Sequence, residues 1–199
     1  MPENISPSDA LERLKAGNQR FVQNKLADRD FLTQVKNTAN GQHPFAVIVG
    51  CIDSRAVPEL IFDQGIGDLF SVRIAGNVID EDVLASLEFS CALAGASLVV
   101  VKGHTHCGAV AGACSGVTEG HLGKLLSKIN PAIEEAKKIQ GENLADPAFR
   151  DEVSRLNALY SVEQIKQQSN ILRDLSEQGK IKIVAALYDV TTGKVNFDL

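Results

Sequence analysis

The chain has 199 residues, 44% of them hydrophobic and 23% charged, enough to bury a sizeable core and ordinary for a globular protein. Twenty basic residues against 25 acidic ones give a net charge of −5, which excludes a broad nucleic-acid footprint. No apolar run approaches the ~18 residues of a membrane span, and the first residues lack the basic and apolar regions of a signal peptide, so a cytoplasmic protein with reduced cysteines is expected.

Ser6 or Ser8 caps a first helix carrying Leu11, Leu14, Phe21 and Val22 on one side. The polar stretch to Gly41 predicts a second short helix and a loop, which makes residues 1–40 an N-terminal helical arm. Residues 45–50 are a short β-branched run after Pro44 and predict a buried strand, and Pro58 opens a short helix to Phe62. Residues 69–75 predict a second strand, and Asp80, Glu81 and Asp82 open a helix through Ala94. Residues 97–103 predict a third strand running into a helix over 107–114. Amphipathic helices follow over 124–138 and 149–178, the second ended by Gly179. A fourth strand spans 181–190, and Thr192 and Gly193 turn into a short last strand. Buried strands alternating with helices predict an α/β fold, with a mainly parallel sheet of four to five strands flanked by helices, in one domain over 1–199. Right-handed crossovers place the strand-to-helix loops at one end of that sheet, where α/β proteins bind ligands.

Two of those loops carry chemistry. The sequence CIDSR (51–55) ends the first strand and GHTHCG (103–108) ends the third. Cys51, His104 and Cys107 form a Cys₂His donor set suited to zinc, with His104 and Cys107 spaced i, i+3 across one turn. Three protein ligands leave a coordination position for water, whose pKa a catalytic zinc lowers to about 7. Asp53 is two residues from Cys51, and Arg55 is placed to keep that carboxylate ionised through paired hydrogen bonds. A cysteine ending a strand is by itself ordinary core, but the carboxylate, the guanidinium and the second loop reverse that for Cys51. Cys91 and Cys114, set among small apolar residues, are expected to be plain core. His106 is out of phase with the ligand pair, and His43 and His121 read as solvated. Gly65 and Gly67 are turn glycines without the following helix that a dinucleotide fingerprint needs.

These residues resemble the β-class carbonic anhydrases, whose signatures are Cys-x-Asp-Ser-Arg and His-x-x-Cys. The likeness extends through GQHP, VRIAGNV and GNQRF, so it covers roughly the whole chain. The resemblance implies one zinc per chain on Cys51, His104 and Cys107, with Asp53 and Arg55 as a catalytic dyad, and reversible hydration of CO₂ to bicarbonate and a proton by zinc-bound hydroxide. It further implies that Gln42 donates a hydrogen bond to substrate in a site shared between subunits. Gly108 would offer a backbone contact, and Phe70, Ala75 and Phe89 an apolar pocket lining. The chain would then assemble as a homodimer or homotetramer through its arm. Family members inhibited allosterically by bicarbonate carry a tryptophan three residues before the first zinc cysteine. Ile48 stands there in this chain, which predicts the open form, whereas Gly50 resembles the regulated group. Other functions compatible with the same residues are hydrolysis of carbonyl sulfide or carbon disulfide, non-catalytic zinc binding, and thiol redox sensing by Cys51 and Cys107. Structural zinc takes four protein ligands, and three are clear here, which weighs against the non-catalytic role.

Overall fold

A computed structural model describes residues 5–199, so the first residues of the expected arm lie outside the described part. One five-stranded sheet has the order β2-β1-β3-β4-β5. Its strands are β1 (Ala46–Gly50), β2 (Leu69–Arg73), β3 (Leu98–His104), β4 (Lys182–Tyr188) and β5 (Val195–Asn196). All neighbours pair in parallel except β5, which returns antiparallel to β4. Every residue of the central β1 and β3 is buried, which is why both read as continuous apolar runs, while the edge strand β2 alternates.

The helices are α1 (Pro7–Val22), α2 (Phe31–Thr38), α3 (Pro58–Ile61), α4 (Glu81–Glu88), α5 (Gly108–Cys114), α6 (Gly120–Leu126), α7 (Asn130–Gln140), α8 (Pro147–Gln168) and α9 (Asn170–Glu177). On one face of the sheet, Val47, Val49, Val99 and Val101 pack with Leu87 of α4, Val162 and Ile165 of α8 and Leu172 of α9. On the other, Ile48 and Val100 pack with Leu11 and Leu14 of α1 and Ile61 of α3. A third cluster joins Cys51 and Cys107 to Val110, Ile129, Ile133, Phe149 and Val153, so the two chemistry-bearing loops sit on a packed floor.

The expected elements are present, with local corrections. Of the two candidate caps, Ser6 is the one used, its Oγ accepting from the Asp9 amide at 3.1 Å. The expected helix over 149–178 breaks at Ser169, whose backbone is extended. That hydroxyl accepts from the Leu172 amide at 3.2 Å and donates to Glu88 Oε1 at 2.6 Å, a capping arrangement that starts α9 afresh. The helix expected over 124–138 is also divided: α6 ends at Leu126, a tight 3₁₀ turn spans Ser127–Ile129, and α7 begins with Pro131 in its first turn. Proline has no amide to donate and suits a helix start, not an interior. The strand expected over 69–75 ends at Arg73, because the chain turns at Ala75–Asn77 with Gly76 at φ 68°.

Asp63 fastens the arm to this frame. Its carboxylate is buried and accepts from Arg20 Nε at 2.5 Å, from Arg29 and from the Ala27 amide. Burial pushes its carboxyl up, but Arg20, Arg29 and the Ala27 amide together outweigh burial and leave it below the ordinary value. Asp63→Asn is expected to cost about 2–3 kcal/mol, below the full penalty for a broken buried pair because Arg20, 39% exposed, can rehydrate. The folded value is depressed, so this contribution is complete above the unfolded value of about 3.9 and is lost as pH falls through the lower folded value. Denaturant melts at pH 7 and pH 3 check both statements; an Asp63→Asn melt equal to wild type at pH 7 would contradict the first.

Candidate functional site

β1 and β3 lie side by side with Gly50 opposite Lys102, so the residues following β1 and ending β3 emerge together. The donor atoms of Cys51, His104 and Cys107 all fall within 4.8 Å of one another, and all three residues are buried. The two sulfurs are 4.0 Å apart. Two thiolates bound at about 2.3 Å to one tetrahedral ion would be about 3.8 Å apart, so the spacing fits zinc. His104 Nδ1 donates to the Thr105 carbonyl at 2.9 Å, which fixes the tautomer and leaves Nε2 buried without a hydrogen-bond partner. An orphaned ring nitrogen facing two sulfurs is costly unless a cation takes its lone pair.

The thiols agree with that assignment. Cys51 is pulled down to about 4, first by the Cys107 thiol and against burial, with His104 and the Gly76 and Asp53 amides adding. Cys107 is pushed up by the same sulfur contact and by burial, although the Val110 and Ala109 amides at the start of α5 oppose this. The protein alone therefore stabilises one thiolate, and the second negative charge requires a cation. Cys91 is different: burial alone pushes its thiol up to about 12, as expected of core.

Asp53 and Arg55 form the predicted pair. Arg55 donates through Nε to Oδ1 at 2.9 Å, through Nη2 to Oδ2 at 2.7 Å, and through its backbone amide to Oδ1 at 2.9 Å. The guanidinium holds the Asp53 carboxyl well below the usual carboxylate range, against burial. Asp53 Oδ2 stays 4.0 Å from His104 Nε2, beside the donor set but engaged with arginine. Beside these groups lies a cavity of about 300 Å³, lined by Asp53, Ile52, Ala75, Gly108, Val117 and Leu122 among others.

Ala75 and Gly108 stand on the wall of this cavity. Phe70 and Phe89 do not line it. They meet edge to face at 6.2 Å across a separate groove between the edge strand β2 and α4. Gln42 is exposed in the loop before β1, also outside the cavity of its own chain. His106 is exposed at φ 54°, its amide donating to Asp151 Oδ1 at 2.7 Å and its carbonyl accepting from Arg55 at 3.3 Å, so it is no ligand. His43 and His121 are exposed.

Several supporting residues escaped sequence reasoning. Arg73 donates to the carbonyls of Cys51 at 3.1 Å and Asp53 at 2.5 Å. The Gly76 amide donates to Cys51 Sγ at 3.3 Å, and Asn157 of α8 donates to the Gly76 carbonyl at 2.8 Å. Lys102 is fully buried under the loop, donating to the Ala56 carbonyl at 3.3 Å, and burial pulls its ammonium down to about 8. Lys102 left a signal, as a charge inside an otherwise apolar buried strand two residues before His104. The Gly76 contact is testable. A Cβ there would lie 2.9 Å from Ile129 Cδ1 on a left-handed backbone, so Gly76→Ala should cost at least about 1–2 kcal/mol and weaken zinc retention by moving the amide off the sulfur. A melt and a chelator competition check this; wild-type values in both would show that the amide–sulfur contact shapes nothing.

With this geometry in hand, comparison with known proteins is direct. The sequence profile of the carbonic anhydrase family matches residues 46–195. The chain is 33% identical over 198 residues to carbonic anhydrase 2 of Mycobacterium tuberculosis, covering 96% of this chain and 92% of that one. It is equally similar to a carbonic anhydrase of Mycolicibacterium smegmatis, at 33% with coverages of 96% and 93%. The crystal structure of the β-carbonic anhydrase CafA of Aspergillus fumigatus superposes with a TM-score of 0.74 at 27% identity, covering 95% of this chain and 88% of that one. A β-carbonic anhydrase of Coccomyxa in complex with acetazolamide shares the fold with the same TM-score of 0.74 at 22% identity, over 96% and 85% of the two chains. Converging Cys-His-Cys donors, the arginine-held aspartate and these matches agree: the chain belongs to the β-class carbonic anhydrase family.

Proposed function

We propose that this chain catalyses the reversible hydration of CO₂ to bicarbonate and a proton. The observation that carries this is the set of three convergent donors, Cys51, His104 and Cys107, beside an aspartate that Arg55 keeps turned aside. Those three residues would hold zinc, whose Lewis acidity makes water nucleophilic near neutral pH. Asp53, fixed by three hydrogen bonds from Arg55, stays ionised, so its Oδ2 can accept the O–H of the attacking water and aim the oxygen at the carbon of CO₂. Ile52, Ala75, Val117 and Leu122 give the cavity apolar walls that suit an uncharged, linear substrate and exclude competing water. Arg73 and the Gly76 amide hold Cys51 and its loop in place.

The site is completed by a second copy of the chain. Gln42, Phe70 and Phe89 fall outside their own cavity, and the arm exposes Leu26 (49%), Phe31 (52%), Leu32 (74%) and Val35 (49%). Apolar exposure on that scale fits an interface, and the fold is shared with carbonic anhydrases of Sordaria macrospora described as tetrameric, at 21% identity and a TM-score of 0.75 over 95% of this chain and 93% of that one. The enzyme is a homo-oligomer built from arm-mediated dimers and works in the cytoplasm, where its four free cysteines stay reduced. No helix among the described residues is long and apolar enough to cross a membrane. Stopped-flow CO₂ hydration beside carbonyl sulfide turnover tests the substrate, and preference for the sulfur compound would overturn it. A fully active monomer by mass measurement would overturn the shared site.

A further inference from the structure

We propose that Lys102 is a positioning residue of this enzyme, a buried positive charge that fixes the Cys51–Arg55 loop from below and biases the site toward anions. The side chain reaches both ends of that loop. Its Nζ donates to the Ala56 carbonyl at 3.3 Å, one residue after Arg55, and passes under Gly50, one residue before Cys51. A Cβ on Gly50 would stand 3.8 Å from Lys102 Cε and 3.9 Å from Nζ, so a larger side chain at that position would occupy the lysine's course. The aliphatic stem lies on the α1 side of the sheet among apolar neighbours, and Nζ sits 5.1 Å from the centre of the Tyr188 ring.

Among the described residues no carboxylate lies within ion-pair distance of this ammonium; its hydrogen-bonding partner is a backbone carbonyl. A buried charge without a paired counter-ion is destabilising on its own account. Arg73 repeats the pattern from β2, bound to the carbonyls of Cys51 and Asp53. Asp53 is already matched by Arg55. Two thiolates would balance a divalent zinc, so Lys102 and Arg73 are left as surplus positive charge beside the Cys51–Arg55 loop, whose Cys51, Ile52 and Asp53 line the cavity. Bicarbonate is the anion the reaction makes and consumes, and a fixed cation in a poorly solvated position favours it. A neutral CO₂ gains nothing from that charge.

The inference uses the carbonic anhydrase assignment only to identify bicarbonate, so the test avoids turnover. Azide binding to the zinc-loaded enzyme is measured by calorimetry at pH 7 for wild type, Lys102→Met and Lys102→Gln, with zinc content and thermal melts for each. Met keeps the stem, and Gln keeps a donor for Ala56; both remove the charge. The azide dissociation constant should rise tenfold or more in both variants, the least effect of one charge within about 12 Å in an effective dielectric of ~20. The metal-free Lys102→Met protein should melt at or above the wild-type temperature, because a buried unpaired charge has gone. Wild-type azide affinity in a folded, zinc-loaded Lys102→Gln overturns the proposal. So does a lowered melting temperature with unchanged azide binding in Lys102→Met, which would make the lysine a packing element only.

Discussion

Arg55→Ala should lower CO₂ hydration by about 10²-fold or more while one zinc per chain remains bound, the range typical of losing a preorganised polar group at a reacting centre. Arg55 makes no contact with the donor atoms, so nothing in the metal's own ligand set is removed. What is removed is the side-chain clamp on Asp53, two hydrogen bonds of 2.9 and 2.7 Å, together with the link to the His106 carbonyl, while the backbone amide bond to Oδ1 stays. The freed carboxylate, with Oδ2 already 4.0 Å from His104 Nε2, becomes available to the metal as a fourth protein ligand, the condition of a structural zinc. The same loss lets the Asp53 pKa rise toward the ordinary carboxylate range. In the metal-free variant Asp53 should therefore take up its proton at a higher pH than in the metal-free wild type, nearer the ordinary carboxylate value of about 4. Stopped-flow rates and metal analysis on one preparation check this. Near-normal turnover would reduce Arg55 to a surface counter-ion, a role its 52% side-chain exposure would otherwise permit.

Cys107→Ala carries the largest expected effect, loss of zinc and of CO₂ hydration together by about 10³-fold or more. A three-donor site has no spare ligand, and the nearest carboxylate is committed to Arg55. The variant should also titrate differently without metal. Cys51 is pulled down to about 4 chiefly by the Cys107 thiol, so removing that thiol should move the Cys51 pKa up toward the ordinary thiol range. Thiolate absorbance of the apo-protein against pH reads this directly. An apo-variant whose Cys51 still ionises near 4 would show that His104 and the Gly76 amide, not Cys107, stabilise its thiolate.

The sheet and the metal donors were legible in the sequence because each rests on local signals that the fold brings together. Continuous β-branched runs marked β1 and β3, and the rule that α/β loops cluster at one sheet end then joined Cys51 to His104 and Cys107. Long-range hydrogen bonding was not legible. Ser169 looks like any polar residue on an amphipathic helix until its hydroxyl is seen reaching Glu88 and capping α9. Asn157 supports the Gly76 turn from 81 residues away, a spacing no pattern encodes. Gln42, Phe70 and Phe89 show a different limit, since residues recognised by resemblance need not belong to the cavity of their own chain. Lys102 marks a third: its position in a strand was plain, but its role depends on Gly50 opposite and Ala56 above.

Metal dependence is the central claim, and reconstitution tests it most directly. Zinc is stripped with a chelator, removal is verified, and zinc is returned in steps while CO₂ hydration and bound metal are followed together. The predicted result is negligible activity without metal, a linear rise with zinc, and saturation at one zinc per chain, with Cys107→Ala flat throughout. Full activity in the stripped protein, or saturation in wild type with Cys107→Ala rising in parallel, would contradict the assignment of Cys51, His104 and Cys107 as the catalytic metal centre.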